Sequence, residues 1–215
     1  MTRRRWAGGL LAGVRAWAAG GERAGAAGGD VVVPLHHVLD RRAACRARHV
    51  RDFWGRIWPQ AVADFEQCGV RFAVTSGEGE VERPAWRTPV VQGLRRGCLN
   101  VVVTDRIPVQ WDGGRGLAGV TTMYRGHAMC MIAIARAHGH RIPFVATNTC
   151  THEMLHAVLG DVFENRPAGW RGQARESRMD AVATGLWFGW RDGGVRAGAG
   201  EFLGRVGGHP PTLSR

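Results

Sequence analysis

Apolar and polar positions divide the chain into a small-residue tail, a central region of alternating elements and a glycine-rich end. VRFAV (70–74) and LNVVVTD (99–105) predict strands, the second stronger for its run of valines. GLAGVTTMY (116–124) predicts a third strand, and CMIAIA (130–135) a fourth that is apolar on both faces. Pro108, Asp112, Gly113 and Gly114 mark the loop between the second and third. Residues 40–68 carry a helical pattern that Pro59 interrupts or kinks. Helical spacing returns in FVATNTCTHEMLHAVLG, where Val145, Leu155, Val158 and Leu159 set an apolar face. Thr147, Asn148, Thr149 and Thr151 all offer an N-cap to this helix, and Gly160 with Asp161 offers a stop. RGQARESRMDAVATGLWFGW (171–190) predicts one more helix, with Met179, Val182, Leu186 and Trp187 on its apolar side.

These elements predict an α+β fold, a small twisted and mostly β sheet packed on the 144–160 helix. A single domain is expected over 31–190, between a disordered or targeting-like tail at 1–30 and a flexible Gly-rich tail at 191–215. TRRRWAGGLLAG has the charged start of a secretion signal with a twin-arginine look, but Arg15 cuts its apolar stretch to about eight residues. No apolar run approaches the roughly 20 residues that span a bilayer.

Charge changes the picture less than its size suggests. The 215 residues carry a net charge of +11, and all 29 basic residues are arginine. The absence of lysine and the abundance of Ala, Gly and Val resemble the codon bias of a GC-rich genome, which weakens the charge as evidence for nucleic acid. Arg3, Arg4, Arg5, Arg41, Arg42, Arg46, Arg48 and Arg51 cluster early, as a solvated face or as a surface for nucleic acid or anionic lipid. The five cysteines form no CxxC pair, which predicts buried free thiols and a cytoplasmic protein, with twin-arginine secretion as the alternative. Trp54 and Trp58, four apart, are expected on one helix face. His127, His138 and His140 are expected at loops or strand ends, as ordinary surface histidines or as helpers at a cleft.

The chemistry concentrates in His152-Glu153-Met154-Leu155-His156. Helical residues four apart lie one above the other, so His152 and His156 can aim two imidazole nitrogens at one zinc ion. Glu153, beside them, is placed to take a proton from water. Catalytic zinc commonly takes a third protein ligand. On the 171–190 helix, Glu176 and Asp180 share a face, so Glu176 can close the triad and Asp180 can accept the free ring N–H of a ligand histidine. Asp180 or Asp161 as the third ligand remain open alternatives.

HExxH followed by ExxxD on a later helix resembles the gluzincin metallopeptidases, the thermolysin-like group of zincins. The likeness covers residues 152–180, with Glu176 twenty positions after His156. It implies ligands His152, His156 and Glu176, general base Glu153 and supporting Asp180. The order of helix and strands before the motif also looks like a zincin core, in which an edge strand near 116–124 would bind an extended peptide. The chain departs from the pattern in having Arg175 where the family has Asn, and in lacking a downstream Tyr or His donor, Tyr124 being the only tyrosine. The metzincin extension is absent, since Leu159 and Val162 occupy its Gly and ligand positions, and so is the aspzincin downstream motif. The resemblance implies a Zn2+-dependent metallopeptidase acting on a protein or peptide substrate. From position alone, Arg175 or Arg178, beside Glu176 in sequence, is expected to stabilise the oxyanion. The alternatives are a non-catalytic zinc-binding or basic nucleic-acid-binding regulatory protein, and a zincin that acts on one partner protein only.

Overall fold

The segment on which the sheet is built, VVVPLHHVLD, is one whose pattern announces no strand. The computed structural model describes residues 30–83, 88–113, 116–137, 139, 148–159 and 193–207. It begins with β1 (Val31–Asp40), followed by α1 (Arg41–Ala44), α2 (Ala47–Asp52), a π-helical turn (Phe53–Ile57) and α3 (Trp58–Glu66). Next come β2 (Val70–Gly79), the short pair β3 (Val81–Glu82) and β4 (Val90–Val91), β5 (Leu99–Thr104) and α4 (Val109–Asp112). The chain then forms β6 (Gly119–Tyr124), β7 (His127–Ala133), α5 (Thr149–Val158) and α6 (Gly193–Gly207). The protein is thus mixed α and β.

Five strands form one sheet in the order β2-β1-β5-β7-β6. The first four run parallel, and β6 pairs antiparallel with β7 at the edge. Parallel strands are stable when both faces are covered, and β5 is accordingly buried at every residue. On one face Phe53, Ile57, Trp58 and Phe65 of the helices meet Val33, Leu35, Val101, Val103 and Ile132 of the sheet. On the other face Val38, Val102, Met129 and Met131 pack with Val81, Val91 and Tyr124. Each fully buried side chain of this size contributes about 1.5–3 kcal/mol.

β1 escapes a pattern search because it is apolar on both faces and holds Pro34, which normally argues against a central strand. Its pairing with β5 starts at Leu35, one residue later, so the proline sits where β1 has its ladder with β2 alone. At the far end Asp40 is fully buried and joins three elements. It accepts from Arg42 N–H at 3.3 Å, from Thr104 Oγ1 at 2.7 Å and from Arg83 Nη2 at 2.9 Å, while Arg83 also reaches Asp105 at 2.8 Å.

The helical stretch predicted over 40–68 exists in pieces, and Pro59 falls at the start of α3 where its missing N–H costs little. The C-terminal expectation needs correction. Residues 193–207 are not a flexible tail but a helix whose Val195, Ala199 and Phe202 are buried in the core. A glycine-rich helix has weak intrinsic stability, so tertiary packing holds it. A side-chain carbon on Gly198 would lie 2.8 Å from the Val158 carbonyl oxygen, so glycine is what lets α6 approach the end of α5. The thiol expectation holds for four cysteines, whereas Cys45 is exposed. No described helix is long and apolar enough to cross a membrane. The predicted 171–190 helix and the tail at 1–29 lie outside the described residues.

Trp54 and Trp58 do share a face, and they enclose His37. The imidazole meets the two indoles edge-on at centroid distances of 4.7 and 4.3 Å. It is fully buried, and neither ring nitrogen has a hydrogen-bond partner among the described residues. Burial, helped by the neighbouring His36, pushes its pKa from 6.5 down to about 3. Between those two values the unfolded chain binds the extra proton, so stability is intact above pH 6.5 and falls as pH drops toward 3. The slope from this one group is at most about 1.4 kcal/mol per pH unit. His37→Phe should flatten that acid limb in denaturant titrations across pH 3–7, and a limb as steep as the parent's would refute the assignment.

Candidate metal centre

The motif helix α5 starts where Asn148 places it. Of the four possible N-caps, Asn148 is the one used, its side-chain oxygen accepting from Cys150 N–H at 2.9 Å and Thr151 N–H at 3.2 Å. The same side chain donates through Nδ2 to the Ile57 carbonyl at 2.7 Å, in the π-helical turn. One turn edge is thus capped and tied to a neighbouring helix by one residue. Thr151 adds a second tie, donating to the buried carboxylate of Asp64 on α3 at 2.6 Å. Cys150 and Met154 point into the core, their sulfurs 3.6 Å apart. Cys150 is therefore core packing, and burial raises its thiol pKa well above the usual range.

Four residues apart on this helix, His152 and His156 come together. Their Nε2 atoms are 2.9 Å apart and their rings meet at 69° with centroids 4.7 Å apart. Two nitrogens bound to one tetrahedral zinc at about 2.0–2.1 Å would be roughly 3.3 Å apart. A small opening of the two side chains reaches that separation, so the donor chemistry and spacing fit a zinc ion. Binding requires both Nε2 lone pairs, hence the ring proton on Nδ1 in each histidine.

Glu153 is 7% exposed and leans onto the edge strand. Its Oε2 accepts from Thr121 Oγ1 at 2.6 Å, and its main-chain carbonyl lies 2.8 Å from the same hydroxyl. Cys130 of β7 donates its thiol to that carbonyl at 3.3 Å, and burial keeps this thiol protonated. Gly119 faces the same carboxylate: a Cβ there would lie 2.5 Å from Glu153 Cγ and 2.6 Å from Oε1.

Among the described residues no third His, Cys, Asp or Glu joins the histidine pair. Glu176, Asp180 and Asp161, the sequence's choices for the third ligand and its support, lie outside the described residues, as do Arg175, Arg178, His138 and His140. His127 opens β7 with its Nδ1 3.1 Å from the Arg95 carbonyl oxygen. Tyr124 packs with the cluster on the opposite sheet face and donates to the Pro89 carbonyl at 3.1 Å. The chain's single tyrosine is thus turned away from Glu153. Sequence reasoning missed Thr121, Gly119 and Asp64, whose parts depend on partners 32, 34 and 87 residues away. The only local signal for the first two was the alternation of small residues in GVTTMY. Compared with known protein families, curated proteins and solved structures, the chain matches none.

Loss of the Asn148 side chain removes a cap, worth about 1 kcal/mol, and a buried hydrogen bond to the Ile57 carbonyl, worth about 0.5–1.5 kcal/mol. Asn148→Ala should therefore lower Tm by roughly 3–10 °C, and Asn148→Asp, which keeps the cap but sets a buried carboxylate against the Ile57 carbonyl, by at least as much. Thermal scans at parent midpoint for both variants would show that the double tie carries nothing.

Proposed function

We propose that this chain is a zinc-dependent metallopeptidase of the zincin type, gluzincin-like in its ligand set. The observation that carries the reading is the convergence of His152 and His156 to 2.9 Å between Nε2 atoms on the helix that also bears Glu153. The antiparallel edge strand β6 beside that helix supports it, since its outer edge has no partner strand among the described residues and suits an extended peptide.

His152, His156 and Glu176 would hold the metal, with Asp180 accepting a ring N–H from a ligand histidine. Zinc in such a site supplies Lewis acidity toward the scissile carbonyl and a lowered pKa for water. Glu153 accepts the proton released as water attacks and delivers it to the departing amine nitrogen. The bond broken is the peptide C–N bond and the bond formed is the new C–O bond. Arg175 or Arg178 lies near the ligand in sequence and would offset oxyanion charge. The substrate is a protein or peptide, and a reducing cytoplasm suits the free thiols.

A basic nucleic-acid-binding regulator is the competing reading. It draws on Arg41, Arg42, Arg46, Arg48 and Arg51, all exposed along α1 and α2. It predicts salt-dependent binding to duplex DNA or RNA without hydrolysis of peptides.

Metal analysis of the purified protein, paired with cleavage of a quenched-fluorescent peptide library, tests the proposal. One zinc per chain is expected in the parent and in Glu153→Gln, with hydrolysis reduced at least about 100-fold in the variant. Glu176→Ala should lose zinc, while Asp180→Ala should weaken its binding by roughly 10–100-fold. A Glu153→Gln protein as active as the parent, or zinc retained without His152 and His156, would sink the proposal.

A further inference from the structure

We infer that Gly119 and Thr121 form a seat on the edge strand that positions the Glu153 carboxylate; the inference rests on the reading of Glu153 as the base. Side chains alternate along a strand, so residues 119, 121 and 123 of β6 face one way. Met123 packs into the core between sheet and helices, which identifies that direction as the side of α5. Thr121 and Gly119 therefore meet Glu153 by the pleat of the strand, two residues apart.

Each half of the seat does a different job. Thr121 has one hydroxyl proton, and its contact with Oε2 at 2.6 Å is shorter than its 2.8 Å contact with the Glu153 carbonyl. A donor facing a carboxylate makes the stronger bond with it, so the proton is directed to Oε2. Gly119 contributes by having no side chain. A methyl group there would lie within 2.5–2.8 Å of Cγ, Cδ and Oε1 together, closer than non-bonded atoms approach. Glutamate has three side-chain torsions and is a poor proton carrier unless they are restrained. The strand supplies that restraint from outside the helix. A peptide pairing along β6 would then meet a base whose carboxylate is anchored to the strand it pairs with.

The test uses the full chain carrying Thr121→Val, Thr121→Ser or Gly119→Ala, each with and without Glu153→Ala. Metal content, steady-state cleavage of the same peptide library and thermal unfolding are measured. Thr121→Val should lower kcat by roughly 10- to 100-fold with KM and zinc content kept, because misplacing a reacting group costs rate rather than binding. Thr121→Ser, which restores the hydroxyl, should recover most of that loss. Gly119→Ala should lower Tm by several degrees in the parent and by much less where Glu153 is alanine, since contacting residues are non-additive. Equal Tm losses in the two backgrounds, or parental kcat in Thr121→Val, would overturn the seat in an active enzyme. A zinc-free or inactive parent would instead overturn the peptidase reading and the seat's catalytic role with it.

Discussion

The rotational setting of α5 about its own axis is the constraint on which the site depends. A buried helix can slide or turn among apolar neighbours at modest cost, because dispersion and burial have little direction. One residue step turns a helix by about 100°, enough to swing the histidine pair off its present face. Directional bonds prevent this. Asn148 binds Ile57, Thr151 binds Asp64, and Thr121 receives the Glu153 carboxylate, so the helix is held at its start and on its polar side. The first two bonds lie in buried surroundings, where leaving one unmade costs more than making it gains, and the third is partly buried.

The sheet explains why those bonds can exist. A parallel sheet covered on both faces gives α5 a rigid floor, and the antiparallel β6 brings small residues beside it. Helix α3 forms the other wall through Asp64, and α6 closes the end of α5 at the Gly198 contact. The cysteines nearby, Cys130 and Cys150, are sealed in and kept protonated by burial, so they pack rather than react. The imidazoles and the carboxylate of α5 fall on the strip carrying His152, Glu153 and His156.

Much of the local structure was legible in the chain. The motif helix, strands near 70–74, 99–105, 116–124 and 130–135 and the Trp54–Trp58 face follow from helical spacing and runs of strand-forming residues, although β2 continues to Gly79 and β7 already begins at His127. Strand β1 was not, because a strand buried on both faces lacks alternation and its proline points the other way. Helix α6 was not, because its glycines argue against a helix until a partner surface is present.

The convergence of His152 and His156 was determined by sequence alone, since residues four apart in a helix meet through the helix's own hydrogen bonds. The choice of Asn148 among four caps, the Asp64 tie and the placing of Glu153 on Gly119 and Thr121 were decided only by the tertiary structure. Those contacts join segments far apart along the chain, and no local period encodes which strand or helix will arrive beside them. Backbone bonding within a turn sets the first kind of geometry; packing of whole elements sets the second.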